Sequence, residues 1–218
     1  MDTSDNDSDA GGAVRIGLPT LHSRLHPKVM ALLGIPCLSD PRRLVFRSST
    51  AAVFLLRGWD IASMVQANKL DIGFAGRDTI EELELGVVIC EEFQEISSPI
   101  GLCKKRTSQL PPRGRLAIAT EYPHLTRRFL ATRCEQLEIL TVHGATEVFP
   151  HLEGIDGIVD IVETGSTLKE NDLELVEVLL HTYPCLVVNQ SSDARLRAMS
   201  LDTIRGHVMQ ALHQRSVR

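Results

Sequence analysis

Short apolar runs along the chain alternate with segments in which apolar residues recur every three or four positions. The runs predict buried strands, and the segments with helical spacing predict amphipathic helices. The predicted strands are residues 14–18, 44–46, 53–56, 70–76, 87–89, 100–103, 116–119, 137–142, 158–162, 173–180 and 185–188. The main predicted helices are residues 27–33, 61–67, 124–132 and 193–214. Strands that alternate with helices favour an α/β fold with largely parallel sheets.

One predicted strand-to-helix junction concentrates small and polar residues. The apolar run 158–162 is followed by the segment 163–167, of sequence Glu-Thr-Gly-Ser-Thr, and then by a predicted helix with Ser166 or Thr167 as its N-cap. Backbone N–H groups at such a junction attract anions, and a glycine lets a phosphate approach the backbone closely. The hydroxyl groups of Thr164, Ser166 and Thr167 add further donors. The segment therefore predicts a phosphate-binding loop.

Two acidic side chains at the same junction narrow the range of ligands expected there. Asp160 and Glu163 would repel a bare phosphate, but they suit sugar hydroxyls or a metal ion that accompanies a pyrophosphate. The alternative is an ordinary strand-to-helix turn with a capping threonine, because short phosphate-loop patterns recur in unrelated proteins.

Further candidate loops follow other predicted strands, where ligands bind in parallel sheets. The loops 76–78 and 120–123 each end a strand. Arg57 and Asp60 flank a Gly-Trp pair after another strand, and a local ion pair or a helix cap is the alternative interpretation. Glu147 lies in the first turn of a predicted helix. The alternative interpretation is that its carboxylate only interacts favourably with the helix dipole.

Composition and charge exclude several classes of protein. The chain has 218 residues, enough for one large domain or two small ones. A net charge of −5 and an aromatic content of 4% argue against nucleic-acid binding. No apolar run is long enough to cross a bilayer, and no secretory signal is visible. The five cysteines lack close CxxC spacing, which favours reduced thiols of a cytosolic protein over a zinc site. Residues 1–12 predict a disordered tail.

Four stretches share their order and spacing with one known family. They are Asp60-Ile61 with residues 70–78, residues 117–129, residues 144–148 with Pro150, and residues 157–173. The last carries Asp-Ile-Val-Glu-Thr-Gly-Ser-Thr-Leu and is the strongest match. Together, from about residue 14 to residue 189, they resemble the ATP phosphoribosyltransferase family, whose enzymes open histidine biosynthesis.

This resemblance implies a two-domain α/β fold like that of the type II periplasmic binding proteins. Domain I would comprise residues 13–97 and 180–218, and domain II residues 98–179, with the phosphoribosyl-binding loop at a strand-to-helix turn of domain II. The implied reaction transfers the 5-phosphoribosyl group from phosphoribosyl pyrophosphate to N1 of ATP and releases pyrophosphate. Mg²⁺ would be the cofactor, carried on the pyrophosphate.

The resemblance also implies the site residues. Phosphoribosyl pyrophosphate would be held by Asp160, Glu163, Thr164, Gly165, Ser166 and Thr167. Asp160 and Glu163 would orient the ribose hydroxyls during catalysis. ATP would bind near Arg24, Arg57, Asp60, Gly76 and Glu147. The sequence assigns no protein side chain as a definite metal ligand.

The length of the chain resembles that of the short form of the family, which lacks a C-terminal regulatory domain that binds histidine. The short form implies a cytoplasmic oligomer that works with a separate regulatory subunit similar to histidyl-tRNA synthetase. We expect neither nucleic acid nor a membrane as a partner.

Two segments depart from the family pattern near the expected acceptor. Residues 19–25 lack the lysine of the usual Lys-Gly-Arg motif, and residues 97–100 differ from the usual Gly-x-Cys-Arg segment. Two alternatives therefore stand beside the first prediction. One is a divergent phosphoribosyltransferase that uses a different heterocyclic acceptor, and the other is a non-catalytic homologue that only binds ligand.

Overall fold

The computed structural model describes residues 13–38, 42–111 and 114–214, and the predicted tail at residues 1–12 lies outside them. The strands in these ranges are β1 (Val14–Pro19), β2 (Val45–Arg47), β3 (Ala51–Leu56), β4 (Ile72–Gly76), β5 (Val88–Glu92), β6 (Ser98–Lys105), β7 (Arg115–Thr120), β8 (Gln136–Thr141), β9 (Gly157–Ile161), β10 (Leu173–Thr182) and β11 (Pro184–Val188). The α-helices are α1 (Leu25–Leu33), α2 (Gly58–Gln66), α3 (Arg77–Glu82), α4 (Pro123–Leu130), α5 (Ser166–Glu170), α6 (Ala194–Arg197) and α7 (Leu201–His213). Short 3₁₀ helices cover Gln94–Ile96 and Thr146–His151.

The chain divides into two compact units, each assembled from separate segments. Unit 1 comprises Met1–Ala75, Gly86–Glu91 and Cys185–Arg218, as far as the structure describes them, and unit 2 comprises Gly76–Leu85 and Glu92–Pro184. Among the described residues, no helix has both the length and the hydrophobicity that crossing a membrane requires.

The six-stranded sheet, which belongs mainly to unit 1, has the order β2-β3-β1-β4-β11-β5. Strand β1 pairs in parallel with β3 on one side and with β4 on the other. Pro19 lies opposite Leu56 in this register, and the N–H of Thr20 donates to the Leu56 carbonyl at 2.9 Å. The segments that follow β1 and β3 therefore leave the sheet side by side, at a point where the strand order reverses.

The five-stranded sheet of unit 2 has the order β10-β6-β9-β7-β8. Strand β7 pairs in parallel with β8 and β9, whereas β6 pairs antiparallel with β9 and β10. Both sheets are mixed, since β2 also runs antiparallel to β3. The predicted α/β class is confirmed, but the prediction of largely parallel sheets was wrong for unit 2. Apolar periodicity reports which residues are buried and carries no information on strand direction.

The single helix predicted over residues 193–214 was also wrong, because the structure contains two helices there. Helix α6 ends at Arg197, and α7 begins at Leu201. The Asp193 side chain accepts a hydrogen bond from the Leu196 N–H at 2.9 Å, and the Ser200 hydroxyl accepts one from the Thr203 N–H at 3.3 Å. Each side chain thus acts as an N-cap, which explains why a new helix starts within a continuous apolar pattern.

We expect the substitution Ser200→Ala to lower the free energy of unfolding by about 1 kcal/mol, because the first turn of α7 loses its side-chain acceptor. The change would be measured as a lower midpoint in urea. Ser200→Asp is the matched control, since it keeps an acceptor and adds a charge favourable to the helix dipole. An unchanged midpoint for the alanine variant would show that the cap contributes nothing.

Candidate active site

The carboxyl ends of three parallel strands meet at one edge of the sheet in unit 2. Thr120 at the end of β7 lies opposite Thr141 of β8 and opposite Val159 of β9. The connection after β7 leads to β8 on one side of the sheet, whereas the connection after β9 leads to β10 on the other side. The edge between β7 and β9 is therefore a switch point of the kind where α/β sheets bind ligands. The predicted loop 163–167 begins two residues beyond β9 and is therefore at this edge.

The loop between β9 and α5 turns through a glycine in the left-handed region. The Val162 N–H donates to the Pro99 carbonyl at 2.8 Å, which fixes the start of the loop. Gly165 has φ +71°, and a side chain there would meet no atom within 4 Å. Gly165 directly precedes α5, so the predicted N-cap at Ser166 or Thr167 was wrong. Glycine is favoured at this position because a left-handed backbone conformation strains residues that have a Cβ atom. Lack of space for a side chain is not the reason.

The loop presents its donors to solvent. The side chains of Thr164, Ser166 and Thr167 are exposed, and the Thr164 and Ser166 hydroxyl oxygens lie 2.8 Å apart. Within residues 13–38, 42–111 and 114–214, no acceptor takes a hydrogen bond from the backbone N–H of Gly165 or Thr167. Helix α5 has only five residues, so its dipole is small. Hydroxyls and backbone N–H groups are therefore what this loop offers an anion.

The two acids of the loop have different surroundings. Asp160 is only 8% exposed; one carboxylate oxygen accepts a hydrogen bond from the Thr146 hydroxyl, and the other accepts the Ile161 N–H at 2.6 Å. Glu163 is exposed, and the Ser98 hydroxyl donates to it at 3.5 Å. Asp160 is thus anchored within the protein, whereas Glu163 faces solvent.

Glu147 and Asp160 lie near the same buried thiol. Glu147 is half-buried and directly follows Thr146, the residue that donates to Asp160. Burial, followed by the negative charges of Asp160 and Glu147, raises the pKa of Cys103 to about 12. The fold therefore brings together two residues predicted for different substrates. Because the Cys103 thiol stays protonated near neutral pH, it is not a nucleophile.

The loop 76–78 is occupied by contacts inside unit 2. Asp78 accepts hydrogen bonds from the Thr182 hydroxyl at 2.5 Å and from the Tyr122 hydroxyl at 3.0 Å. Burial, followed by the charge of Asp78, raises the pKa of Tyr122 well above its usual range, so this phenol remains a donor. A side chain at Gly76 would collide with the Asp78 carboxylate, which explains the glycine there.

The loop 120–123 is also closed internally. The Glu82 carboxylate accepts the N–H groups of His124 and Leu125 at 2.7 and 2.8 Å, and so caps the first turn of α4. Arg128, further along α4, pairs with Glu81 at 3.0 Å. An anion would have to displace Glu82 to use this helix end. Of the three predicted loops in unit 2, the loop at 163–167 is the one that leaves its donors open.

Three of the residues predicted for ATP lie in unit 1. Arg24 precedes α1, Arg57 precedes α2, and Asp60 lies in the first turn of α2; all three side chains are exposed. Arg57 and Asp60 form no ion pair with each other, so the alternative interpretation of a local pair is wrong. The register of Pro19 with Leu56 places the segments that carry Arg24 and Arg57 at adjacent strand ends.

Two buried threonines beside the candidate site were not singled out from the sequence. Thr120 and Thr146 are fully buried, and their hydroxyls donate to the Val159 carbonyl at 2.7 Å and to the Asp160 carboxylate. The available signal was that Thr120 opens the candidate loop 120–123 and that Thr146 directly precedes the candidate Glu147. The partner of each threonine could not be identified from sequence, because it lies 39 or 14 residues further along the chain.

Comparison with known proteins gives one consistent assignment. Residues 57–209, more than half of the chain, match the family model of ATP phosphoribosyltransferase. The ATP phosphoribosyltransferase of Dictyoglomus thermophilum is 37% identical over 170 residues, which cover 75% of this chain and 80% of that protein. The enzyme of Listeria monocytogenes is 35% identical over 182 residues, covering 78% and 83% of the two chains.

Solved structures agree with the sequence relatives. A chain of the ATP phosphoribosyl transferase (HisG:HisZ) complex from Thermotoga maritima is 27% identical, with a TM-score of 0.69 over 91% of this chain and 94% of that one. Arginine-bound ArgBP from T. maritima is 11% identical, with a TM-score of 0.52 over 91% and 96%, and shares the fold alone. The predicted fold of periplasmic-binding-protein type is confirmed. With the family match and these relatives, the chain belongs to the ATP phosphoribosyltransferase family.

Proposed function

We propose that this protein transfers the 5-phosphoribosyl group of phosphoribosyl pyrophosphate to N1 of ATP, the first step of histidine biosynthesis. Membership of the family supports the reaction. The observation that supports the site is the open loop 163–167, with exposed hydroxyls and a left-handed Gly165, beside an anchored Asp160.

The donor would bind through its 5′-phosphate and its ribose. The N–H groups and hydroxyls of residues 164–167 would donate to the phosphate oxygens, and charge strengthens such hydrogen bonds. Asp160 and Glu163 would accept hydrogen bonds from the ribose hydroxyls. This division suits the charges, since the acids would face a sugar and the phosphate would face donors.

In the chemical step, N1 of the adenine supplies the electron pair for the new bond to C1′ of the ribose. The bond from C1′ to the pyrophosphate oxygen breaks, and its electron pair leaves with the pyrophosphate. The adenine ring compensates by losing a proton from its amino group. Such a reaction needs positioning and stabilisation of a transient positive charge rather than a protein nucleophile. The nearby carboxylates of Asp160 and Glu163 would provide that stabilisation.

Mg²⁺ fits this arrangement as an ion that arrives with the substrate. In the described part of the chain, no group of three or more His, Cys, Asp or Glu side chains could hold a metal ion. Mg²⁺ is commonly held by one or two carboxylates together with substrate phosphates. The exposed Glu163 would hold it with the pyrophosphate oxygens. When bound, the ion would neutralise charge on the leaving pyrophosphate.

The residues proposed for ATP are those predicted from the sequence. The guanidinium groups of Arg24 and Arg57 suit phosphate oxygens, and Asp60, Gly76 and Glu147 complete the proposed acceptor set. The changed segment 19–25 favours one second candidate, namely transfer to another heterocycle by the same donor site.

We also propose a separate regulatory partner. The solved relative from T. maritima is a HisG:HisZ complex, and this chain covers 94% of the matched chain. As a short-form member of the family, the protein would act in the cytoplasm as part of a hetero-oligomer. Its partner would be a subunit similar to histidyl-tRNA synthetase.

Release of pyrophosphate tests the reaction directly. With phosphoribosyl pyrophosphate and millimolar Mg²⁺, we expect release in the presence of ATP, with or without the regulatory subunit. A panel of purine and azole acceptors serves as the comparison. Release with another heterocycle but not with ATP would favour the second candidate. Binding of the donor without release for any acceptor would favour a ligand-binding protein.

Glu163→Gln should lower kcat/KM about 100-fold, because the exposed carboxylate no longer steers the ribose or the metal-bound pyrophosphate. Glu153→Gln is the matched control, since Glu153 is also exposed but precedes the amino end of β9. Steady-state kinetics of both variants would be compared with those of the wild type. Equal losses in the two variants would argue against a role of Glu163 at the site.

The substitution Gly165→Ala tests whether the loop binds the phosphoribosyl donor, and Gly154→Ala is the matched control. Gly154 also has positive φ, at +84°, and also faces open space. Because left-handed backbone costs about 1 kcal/mol for alanine, both variants should lose similar stability. Only Gly165→Ala should weaken binding of phosphoribosyl pyrophosphate, by about tenfold, as the phosphate donors move. Calorimetric titration that found equal affinity for both variants would contradict the assignment.

A further inference from the structure

Two fully buried threonines surround the position of Asp160 in unit 2. Thr146 lies at the start of the 3₁₀ helix Thr146–His151, and Thr120 lies at the end of β7; each side chain has 0% exposure. Neither hydroxyl reaches solvent, so neither can touch a substrate. Their hydrogen bonds nevertheless end on Asp160 or on the residue before it.

The Thr120 hydroxyl fixes the backbone that carries Asp160. It donates to the Val159 carbonyl at 2.7 Å and accepts the Tyr122 N–H at 2.9 Å. A threonine that bonds to main-chain groups in this way holds two segments of the fold together. Thr120 is therefore a structural residue of the strand edge.

The Thr146 hydroxyl acts on the carboxylate itself. It donates to one oxygen of Asp160, while the Ile161 N–H holds the other oxygen at 2.6 Å. Because each oxygen accepts a hydrogen bond, the carboxylate plane cannot turn without breaking a bond. Removal of the hydroxyl would take one donor away from a buried, charged oxygen, which is costly for a carboxylate.

We propose that Thr146 is a positioning residue of the donor site. Its hydroxyl holds Asp160 in the orientation in which the carboxylate meets a ribose hydroxyl of the phosphoribosyl donor. This inference rests on the proposed function. Thr146 differs from a structural threonine such as Thr120, because the hydroxyl of Thr146 donates to a carboxylate of the proposed site rather than to a main-chain group.

The test uses variants that differ in one hydroxyl. Thr146→Val keeps the shape and removes the donor, whereas Thr146→Ser keeps the donor. Thr126→Val is the matched control, since Thr126 is also 0% exposed in unit 2 and its hydroxyl has no hydrogen-bond partner among the described residues. Thermal unfolding of each variant shows that it folds. If Thr146→Val does not fold, Thr146→Ala is compared with Thr146→Ser instead.

We expect Thr146→Val to raise both the KM and the calorimetric Kd for phosphoribosyl pyrophosphate about tenfold, because the carboxylate loses its orientation. The KM for ATP should stay within about twofold of the wild type, and Thr146→Ser should restore donor affinity. Thr126→Val should leave both constants unchanged.

A double-mutant cycle distinguishes action through Asp160 from a general loss of structure. In the background Asp160→Ala, the further change Thr146→Val should add little, since its partner is already gone. An equal penalty in both backgrounds, or a Thr146→Val variant with wild-type donor affinity, would overturn the inference alone. A wild-type protein that neither binds the donor nor releases pyrophosphate would overturn the proposed function with it.

Discussion

The parallel pairing of β7 with β8 on one side and with β9 on the other is the constraint on which the rest of unit 2 depends. It aligns Thr120 with both Thr141 and Val159, so that three strand ends reach one edge together. The connection after β8 then brings Thr146 to Asp160, which lies near the end of β9. A shift of β9 by one residue would turn Asp160 to the other face of the sheet and separate it from Thr146.

The polar groups at this edge fall into two kinds, and the difference supports the proposed site. Asp78, Tyr122 and Glu82 are buried and complete their hydrogen bonds inside unit 2. Buried polar groups are costly unless they are paired, so this network supports the strand ends. The loop 164–167 instead keeps its donors exposed. A preorganised binding site combines a hydrogen-bonded framework with donors that are exposed to the ligand. The buried network and the loop provide these two parts.

The two substrates of the proposed reaction make different demands on the chain. The donor loop follows a single strand and is nearly continuous in sequence, so a local motif describes it. The proposed acceptor residues come from separate segments, and the segment 19–25 departs from the family pattern. Changes on the acceptor side can therefore alter the heterocycle while the phosphoribosyl chemistry stays the same.

The sequence by itself determined the α/β class and the approximate position of nearly every strand, and it singled out residues 160–167 as a candidate site, because burial and turn chemistry leave local patterns. Only the tertiary structure decided that β6 runs antiparallel to β9, since an apolar run looks the same in either direction. The same holds for the left-handed Gly165 that begins α5 and for the Thr146 hydroxyl on Asp160. The pairing of β6 with β9 and the hydrogen bond from Thr146 to Asp160 join residues distant along the chain, and packing selects their partners.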